Sequence, residues 1–219
     1  MIEIIPALLC ESQEEFIQKT KIIEPFALFA QIDVMDGSWL DGKKTWCDID
    51  SISETISPLL YEIHFMVRDP MEKLSKWAAI PAVKRVIFHF ETVTQPKQII
   101  EAIRYHGMEA VLAVNPETAF DEVAEFVPYV DEVMIMTVKP GASGRPFERG
   151  VLEKISRCAD AGHGIIVGVD GAISVETIPD CVAAGATRLR VNSSLFKATI
   201  PPADAWTTLI RVAETRPIR

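Results

Sequence analysis

Gln31-Ile32-Asp33-Val34-Met35-Asp36-Gly37 is an apolar run that delivers a carboxylate near its end and then turns on Asp-Gly. A parallel barrel presents its reactive acids in this way, at the end of a strand where the next loop begins. A second copy lies far downstream, where Ile165 to Val169 ends in Asp170 and Gly171. Between them Tyr61-Glu62-Ile63-His64-Phe65-Met66 is a third short run, and it carries a histidine. Two carboxylates and a histidine at strand ends outline one site.

Outward from these runs, short apolar segments alternate with longer amphipathic ones to the end of the chain, the pattern of repeated βα units. Strands are expected near Glu3 to Leu8, Leu28 to Asp33, Tyr61 to Met66, Arg85 to His89, Glu109 to Val114, Glu132 to Met136, Gly164 to Val169 and Arg188 to Val191. About eight strands close a parallel barrel, so the reading is α/β, a (β/α)8 TIM barrel over residues 1–219 as one domain, with an open doubly wound sheet as the alternative. Helix starts are marked by Ser12 before Glu14 and Glu15, by Pro96, by Pro116 and Thr118 before Phe120 to Phe126, and by Ser174 before Val175 to Ala184. Gly107, Gly162 and Gly185 stand where helices are expected to stop.

With 219 residues and 48% hydrophobic content, the chain has enough apolar surface for a full core. No apolar run approaches the ~20 residues of a membrane span, and Met1 to Cys10 lacks the features of a secretory signal, so no membrane association is expected and the cytoplasm is the expected compartment. Cys10, Cys47, Cys158 and Cys181 show no C-x-x-C spacing and read as reduced, mostly buried thiols. A formal net charge of -9 argues against nucleic-acid binding, while local donors could still hold a small anion.

In a barrel, ligands meet the C-terminal strand ends, which is where Asp33, His64, Met66, His89, Asn115, Met136 and Asp170 fall. Taken singly, a strand-end Asp serves as often to cap a helix, and a lone His is more often a satisfied structural group. Convergence of Asp33, His64 and Asp170 on one rim favours a polar site, since polar groups in apolar strands are costly unless partnered. His106 and His163 sit at helix ends beside glycine and receive no role. Thr137-Val138-Lys139-Pro140-Gly141-Ala142-Ser143-Gly144 is a small-residue loop that can bring backbone N–H groups close to an anion. Gly171-Ala172-Ile173-Ser174 and Asn192-Ser193-Ser194 are its natural partners, because barrels commonly place phosphate at the last two loops.

These residues match a known pattern, and the chain resembles the ribulose-phosphate 3-epimerases and their pentulose and hexulose phosphate relatives nearly end to end. The matches are Ile5-Pro6, Asp33-Val34-Met35-Asp36-Gly37, His64-Phe65-Met66-Val67, Asn115-Pro116, Met136-Thr137-Val138-Lys139-Pro140-Gly141 and Val169-Asp170-Gly171. The resemblance implies a ribulose-phosphate-binding barrel, one divalent metal ion (zinc, iron or manganese), and inversion of C3 of a ketose phosphate such as D-ribulose 5-phosphate. It implies Asp33 and Asp170 as the acid/base pair, both also touching metal, with His64 as a metal ligand. Met35, Met66 and Met136 would line the substrate cavity, and Gly141, Gly144, Gly171 and Ser194 would lie in the binding loops. A homo-oligomer, dimer or hexamer, is implied as well.

The chemistry explains those residue types. Epimerising a carbon beside a ketone requires a base on one face and an acid on the other, and the enediolate between the two steps is an oxyanion that a divalent ion stabilises. The chain also departs from the pattern. Gln31 stands where a fourth metal-ligand His is usual and would offer only a neutral carbonyl oxygen. Ala7 replaces a serine, Ala142 and Ser143 replace Phe-Gly, Ala172 replaces a glycine, and Ser193 replaces another. In the segment after Gly37, Lys43 and Lys44 are candidates for substrate contact, with a solvated loop as the plainer reading. Gln31 and Ala7 motivate an alternative, a metal-free sugar-phosphate-binding or regulatory barrel. A related lyase or decarboxylase is disfavoured, because such enzymes use an Asp-x-Lys-x-x-Asp array and the second residue after Asp33 is Met35.

Overall fold

The computed structural model describes residues 2–141, 144–162 and 164–215. Eight strands run β1 (Glu3–Leu8), β2 (Phe29–Val34), β3 (Leu60–Phe65), β4 (Val83–His89), β5 (Glu109–Val114), β6 (Glu132–Met136), β7 (Ile166–Asp170) and β8 (Arg188–Val191). Each pairs in parallel with its neighbour and β8 returns to β1, so the barrel is closed and the open-sheet alternative is excluded. Helices α1 (Gln13–Ile23), α2 (Ile49–Glu54), α3 (Met71–Ala78), α4 (Pro96–Tyr105), α5 (Phe120–Val123), α6 (Val151–Asp160), α7 (Ile178–Ala184), α8 (Ser193–Phe196) and α9 (Pro202–Glu214) form the outer layer. No described helix is long and apolar enough to cross a membrane.

Local signals explain most element ends. Ser12 accepts a hydrogen bond from the Glu15 N–H at 3.2 Å and caps α1, and Pro96 opens α4. Gly185 ends α7 at φ 112°, a left-handed conformation that costs a side-chain-bearing residue energy. One expected start moves. Ser174 does not cap a helix at Val175, because its N–H donates to Thr177 Oγ1 at 2.9 Å and Thr177 Oγ1 donates back to Ala172 O at 2.9 Å. That closed turn delays α7 to Ile178, where Pro179 fits the first helical turn. The expected run from Phe120 to Phe126 also shortens: α5 ends at Val123 and a 3-10 turn carries on over Ala124–Tyr129, with Pro128 inside it.

The apolar core lies between barrel and helices, with Ile63, Phe65, Phe88, Leu112, Ile155 and Trp77 fully enclosed. Inside the barrel, a small apolar group of Ile87, Val111, Ala113, Met134 and Met136 fills one side. The remainder of the lower interior is ionic. Arg190 Nε donates to Glu62 Oε1 at 2.8 Å and its other nitrogens pair with Glu132, all three side chains being fully buried. Arg188 pairs with Glu3 and Glu132, and Arg85 with Glu3, Glu62 and Glu109. A buried charge is tolerated only when paired and hydrogen-bonded, and here every guanidinium bridges more than one carboxylate. Gly168 on β7 makes the room: a Cβ there would collide with both Glu132 Oε1 and Arg190 Nη1.

Candidate active site

Strand register brings the site together. Asp33 on β2 is the direct partner of His64 on β3, and Asp170 on β7 is the partner of Met136 on β6. Inward alternation then puts Gln31, Asp33, His64, His89 and Asp170 on the interior above the ionic floor. His64 Nδ1 lies 3.1 Å from Asp33 Oδ1 and 3.4 Å from Asp170 Oδ2. Gln31 Nε2 donates to Asp33 Oδ1 and to Asp170 Oδ2, each at 2.8 Å, while its Oε1 is buried with no partner among the described residues. His64 Nε2 and His89 Nε2 are 2.9 Å apart, both rings are buried, and Glu91 Oε2 lies 3.5 Å from His89 Nδ1.

This geometry divides the two carboxyls. Burial pushes Asp33 up, and the Asp170 charge adds to that against hydrogen bonds from His64 and Gln31. Burial also pushes at Asp170, but hydrogen bonding and charge from His64, the Gln31 amide and the charge of Arg190 outweigh it and hold this carboxyl below its ordinary value. The surroundings therefore push the two carboxyls in opposite directions. Burial alone would lower His64, yet hydrogen bonds and charge from Asp170 and Asp33 hold it up at about 9. His89 has no such surplus of anions, and burial, with the His64 charge against it, pushes it down.

Asp33, His64 and Asp170 present donor atoms that all lie within 4.8 Å of one another. Two hard carboxylate oxygens and one imidazole nitrogen form a three-ligand set of the kind catalytic divalent ions use, so the residues fit such an ion. The partnerless Gln31 Oε1 is a further candidate donor, although turning it toward the carboxylates would break the two hydrogen bonds that Gln31 Nε2 makes to them.

Above the site lies a small cavity of about 70 Å³ lined by Asp33, His64, Asp170, Met66, Met136 and Ala7 and by loop residues Gly141, Gly144, Gly171, Ala172 and Ser193. Of the sequence-derived site residues, all those described gather here except Gln31, Met35 and Ser194. Met35 is buried but is not among the lining residues; it follows the end of β2 at Val34, and its backbone exchanges hydrogen bonds with Thr45. Ser194 donates its hydroxyl to Ile173 O at 2.7 Å, leaving Ser193 at the wall. Ala142 and Ser143 lie outside the described residues. Ala172 holds φ 49°, a left-handed conformation, beside Gly171 at φ 107°. Lys43 reaches the rim, donating to Gly141 O at 2.8 Å and tying the loop after β2 to the loop after β6.

Two residues at the site escape the sequence reading. Glu91 follows the strand-end His89 by two positions, a His-x-Glu spacing that is a visible signal, and it contacts that histidine through its second oxygen. Arg145 lines both this cavity and a neighbouring one, and its place beside Gly144 in the small-residue loop was the available cue. Arg190, the other cation on the cavity wall, is already committed to Glu62 and Glu132.

Comparison with known proteins agrees with this arrangement. The profile described as "Ribulose-phosphate 3 epimerase family" matches residues 3–196. The ribulose-phosphate 3-epimerase of Chlamydia pneumoniae is 31% identical over 83% of this chain and 82% of its own length. That of Chlamydia muridarum is 32% identical over 80% and 79%. Among solved structures, the 3-hexulose-6-phosphate synthase from Salmonella typhimurium superposes with a TM-score of 0.73 over 97% of this chain and 98% of its own, and at 14% identity it supports the fold alone. The chain is an isomerase-class enzyme of the sugar-phosphate epimerase kind, and it belongs to the ribulose-phosphate 3-epimerase family.

Proposed function

We propose that the chain inverts C3 of a ketose phosphate, interconverting D-ribulose 5-phosphate and D-xylulose 5-phosphate, with Asp33 and Asp170 as alternating acid and base. The observation that carries this reading is the pairing of two buried carboxyls on β2 and β7 whose protonation is driven apart, Asp33 up and Asp170 down. The ionised carboxylate takes the C3 proton, the C–H electron pair moves toward the C2 carbonyl, and the enediolate forms. The protonated carboxyl then returns a proton to the opposite face of C3, so that each turnover exchanges the protonation states of the pair.

Met66, Met136, Val138 and Ile173 form the apolar part of the wall, which strengthens every charge interaction inside. The loops with Gly171, Ala172 and Ser193 stand where the phosphate would be held by backbone N–H groups, with the Arg145 guanidinium at the shared rim. Asp33, His64 and Asp170, with Gln31 as a neutral fourth donor, would hold a divalent ion, which when bound polarises the carbonyl and offsets the enediolate charge.

The test combines elemental analysis of protein purified without an affinity metal column with turnover of ribulose 5-phosphate in D2O. Deuterium at C3 of substrate and product, lost in Asp33→Asn and Asp170→Asn, is the expected result. Unimpaired exchange in both variants would sink the acid/base assignment. A second reading, a sugar-phosphate-binding barrel without turnover, is favoured by one observation: the Gln31 amide donates to both carboxyls at 2.8 Å and so engages oxygens that an ion would need. Turnover by the clean protein excludes it.

A further inference from the structure

The contact between His64 and His89 carries a consequence for how the site presents its nitrogen donor. Two imidazole nitrogens 2.9 Å apart form one hydrogen bond, so one carries the hydrogen and the other offers a lone pair. Which is which depends on the far side of His89. There Glu91 Oε2 stands 3.5 Å from His89 Nδ1, too long for a strong hydrogen bond but close enough for its charge to draw the N–H, and no other partner among the described residues reaches that nitrogen.

Glu91 is fixed in turn. Its Oε1 accepts from the Asn115 N–H at 2.8 Å and from the Thr118 hydroxyl at 2.6 Å, which leaves Oε2 for His89. The His89 ring is fully buried and the Trp39 indole meets it edge-on at 4.8 Å, so water does not compete for the arrangement.

We propose that Glu91 and His89 are positioning residues that set the tautomer of His64. Glu91 holds the hydrogen of His89 on Nδ1, His89 Nε2 accepts the Nε2–H of His64, and Nδ1 of His64, which faces Asp33 and Asp170, is thereby the nitrogen that gives up its hydrogen to a bound ion. Ligating histidines are oriented through their second nitrogen in this way, and loss of the orienting partner typically weakens metal affinity about 10–100-fold. The proposal rests on the metal reading of the site for its purpose, not for its geometry.

An isosteric change gives the test. In Glu91→Gln the side-chain oxygen stays with its two donors, Asn115 and Thr118, so the new NH2 faces His89 Nδ1. That reverses the chain of hydrogens: His89 becomes the Nε2–H donor, His64 Nε2 becomes the acceptor, and His64 keeps a hydrogen only on Nδ1, the nitrogen an ion would need. The Zn2+ dissociation constant, read by chelator competition, is expected to rise at least tenfold in Glu91→Gln, at unchanged circular dichroism. Nitrogen-15 NMR of the metal-free wild type is expected to show His64 Nε2 protonated and His89 Nε2 bare, and the reverse in Glu91→Gln. A wild-type His89 carrying its hydrogen on Nε2, or a Zn2+ constant within twofold of wild type in the variant, overturns the proposal. If the wild type takes up no Zn2+, the metal reading fails by itself, and the tautomers of the metal-free protein still decide whether His89 sets His64.

Discussion

Gln31 Nε2 lies 2.8 Å from Asp170 Oδ2, a hydrogen bond between β2 and β7 that ties together carboxylates 137 positions apart in the chain, since the same nitrogen also reaches Asp33. The amide does part of what a cation would do, relieving the repulsion between two buried acids. Replacing it with Gln31→Leu removes two hydrogen bonds to charged groups, each worth roughly 1.5–3 kcal/mol. The metal-free protein should lose at least about 3 kcal/mol of stability in urea unfolding with chelator present, and an unchanged midpoint would refute the bridging role. Gln31→His should bind Zn2+ more tightly than wild type, because imidazole is a better ligand than an amide oxygen.

The raised His64 gives stability a pH signature. Its folded value of about 9 lies above the ordinary 6.5, so its contribution is fully present below about pH 6.5 and is lost as pH rises through 9. Asp33, also raised, has the same sign at lower pH, while the lowered Asp170 contributes stability that is lost only in acid. Urea midpoints of the metal-free protein should therefore fall between pH 6.5 and 9.5. A flat profile there would mean that His64 does not carry its proton between the two carboxylates.

Gly168→Ala forces a methyl group into the Glu132–Arg190 pair. Overpacking costs about 1–3 kcal/mol and disrupting a buried ion pair about 3–5 kcal/mol, so the variant should be destabilised by at least ~3 kcal/mol or fail to fold. Thermal unfolding measures it, and a near-wild-type midpoint would show that the ionic floor yields easily.

Burial pushes the thiols of Cys10, Cys158 and Cys181 up to about 12, and Cys47 is raised by the same cause. Thiolate is the reactive form, so the native protein should resist iodoacetamide at pH 8 and accept four labels in denaturant. Rapid labelling of any of the three in the folded state would contradict their burial.

The barrel and its reactive rim were legible because period and position suffice for them. Asp170 ends its strand and Asp33 and His64 stand one residue before the ends of theirs, and parallel register puts strand ends on one rim. What was not legible depends on side-chain direction or on partners distant in the chain. Nothing local shows that the Gln31 amide turns its nitrogen to the acids, or that Met35 is not among the residues that line the cavity. The start of α7 was misplaced because Ser174 looks like a cap until Thr177 is seen to close the turn. Glu62, Glu132, Arg188 and Arg190 read as charges interrupting apolar strands, and only closure of the barrel turns them into partners.

The missing side chain at Gly168 also constrains descent. A methyl group can appear at that position only if Glu132 or Arg190 shrinks, and either of those can shrink only if Glu62 and Arg188 find other counter-charges. Since Arg190 also reaches the cavity wall, drift in the lower barrel cannot proceed independently of the residues that meet the substrate. Four strands, β3, β6, β7 and β8, are thus bound into one evolutionary unit, and chains that diverge at the rim should still vary in concert beneath it.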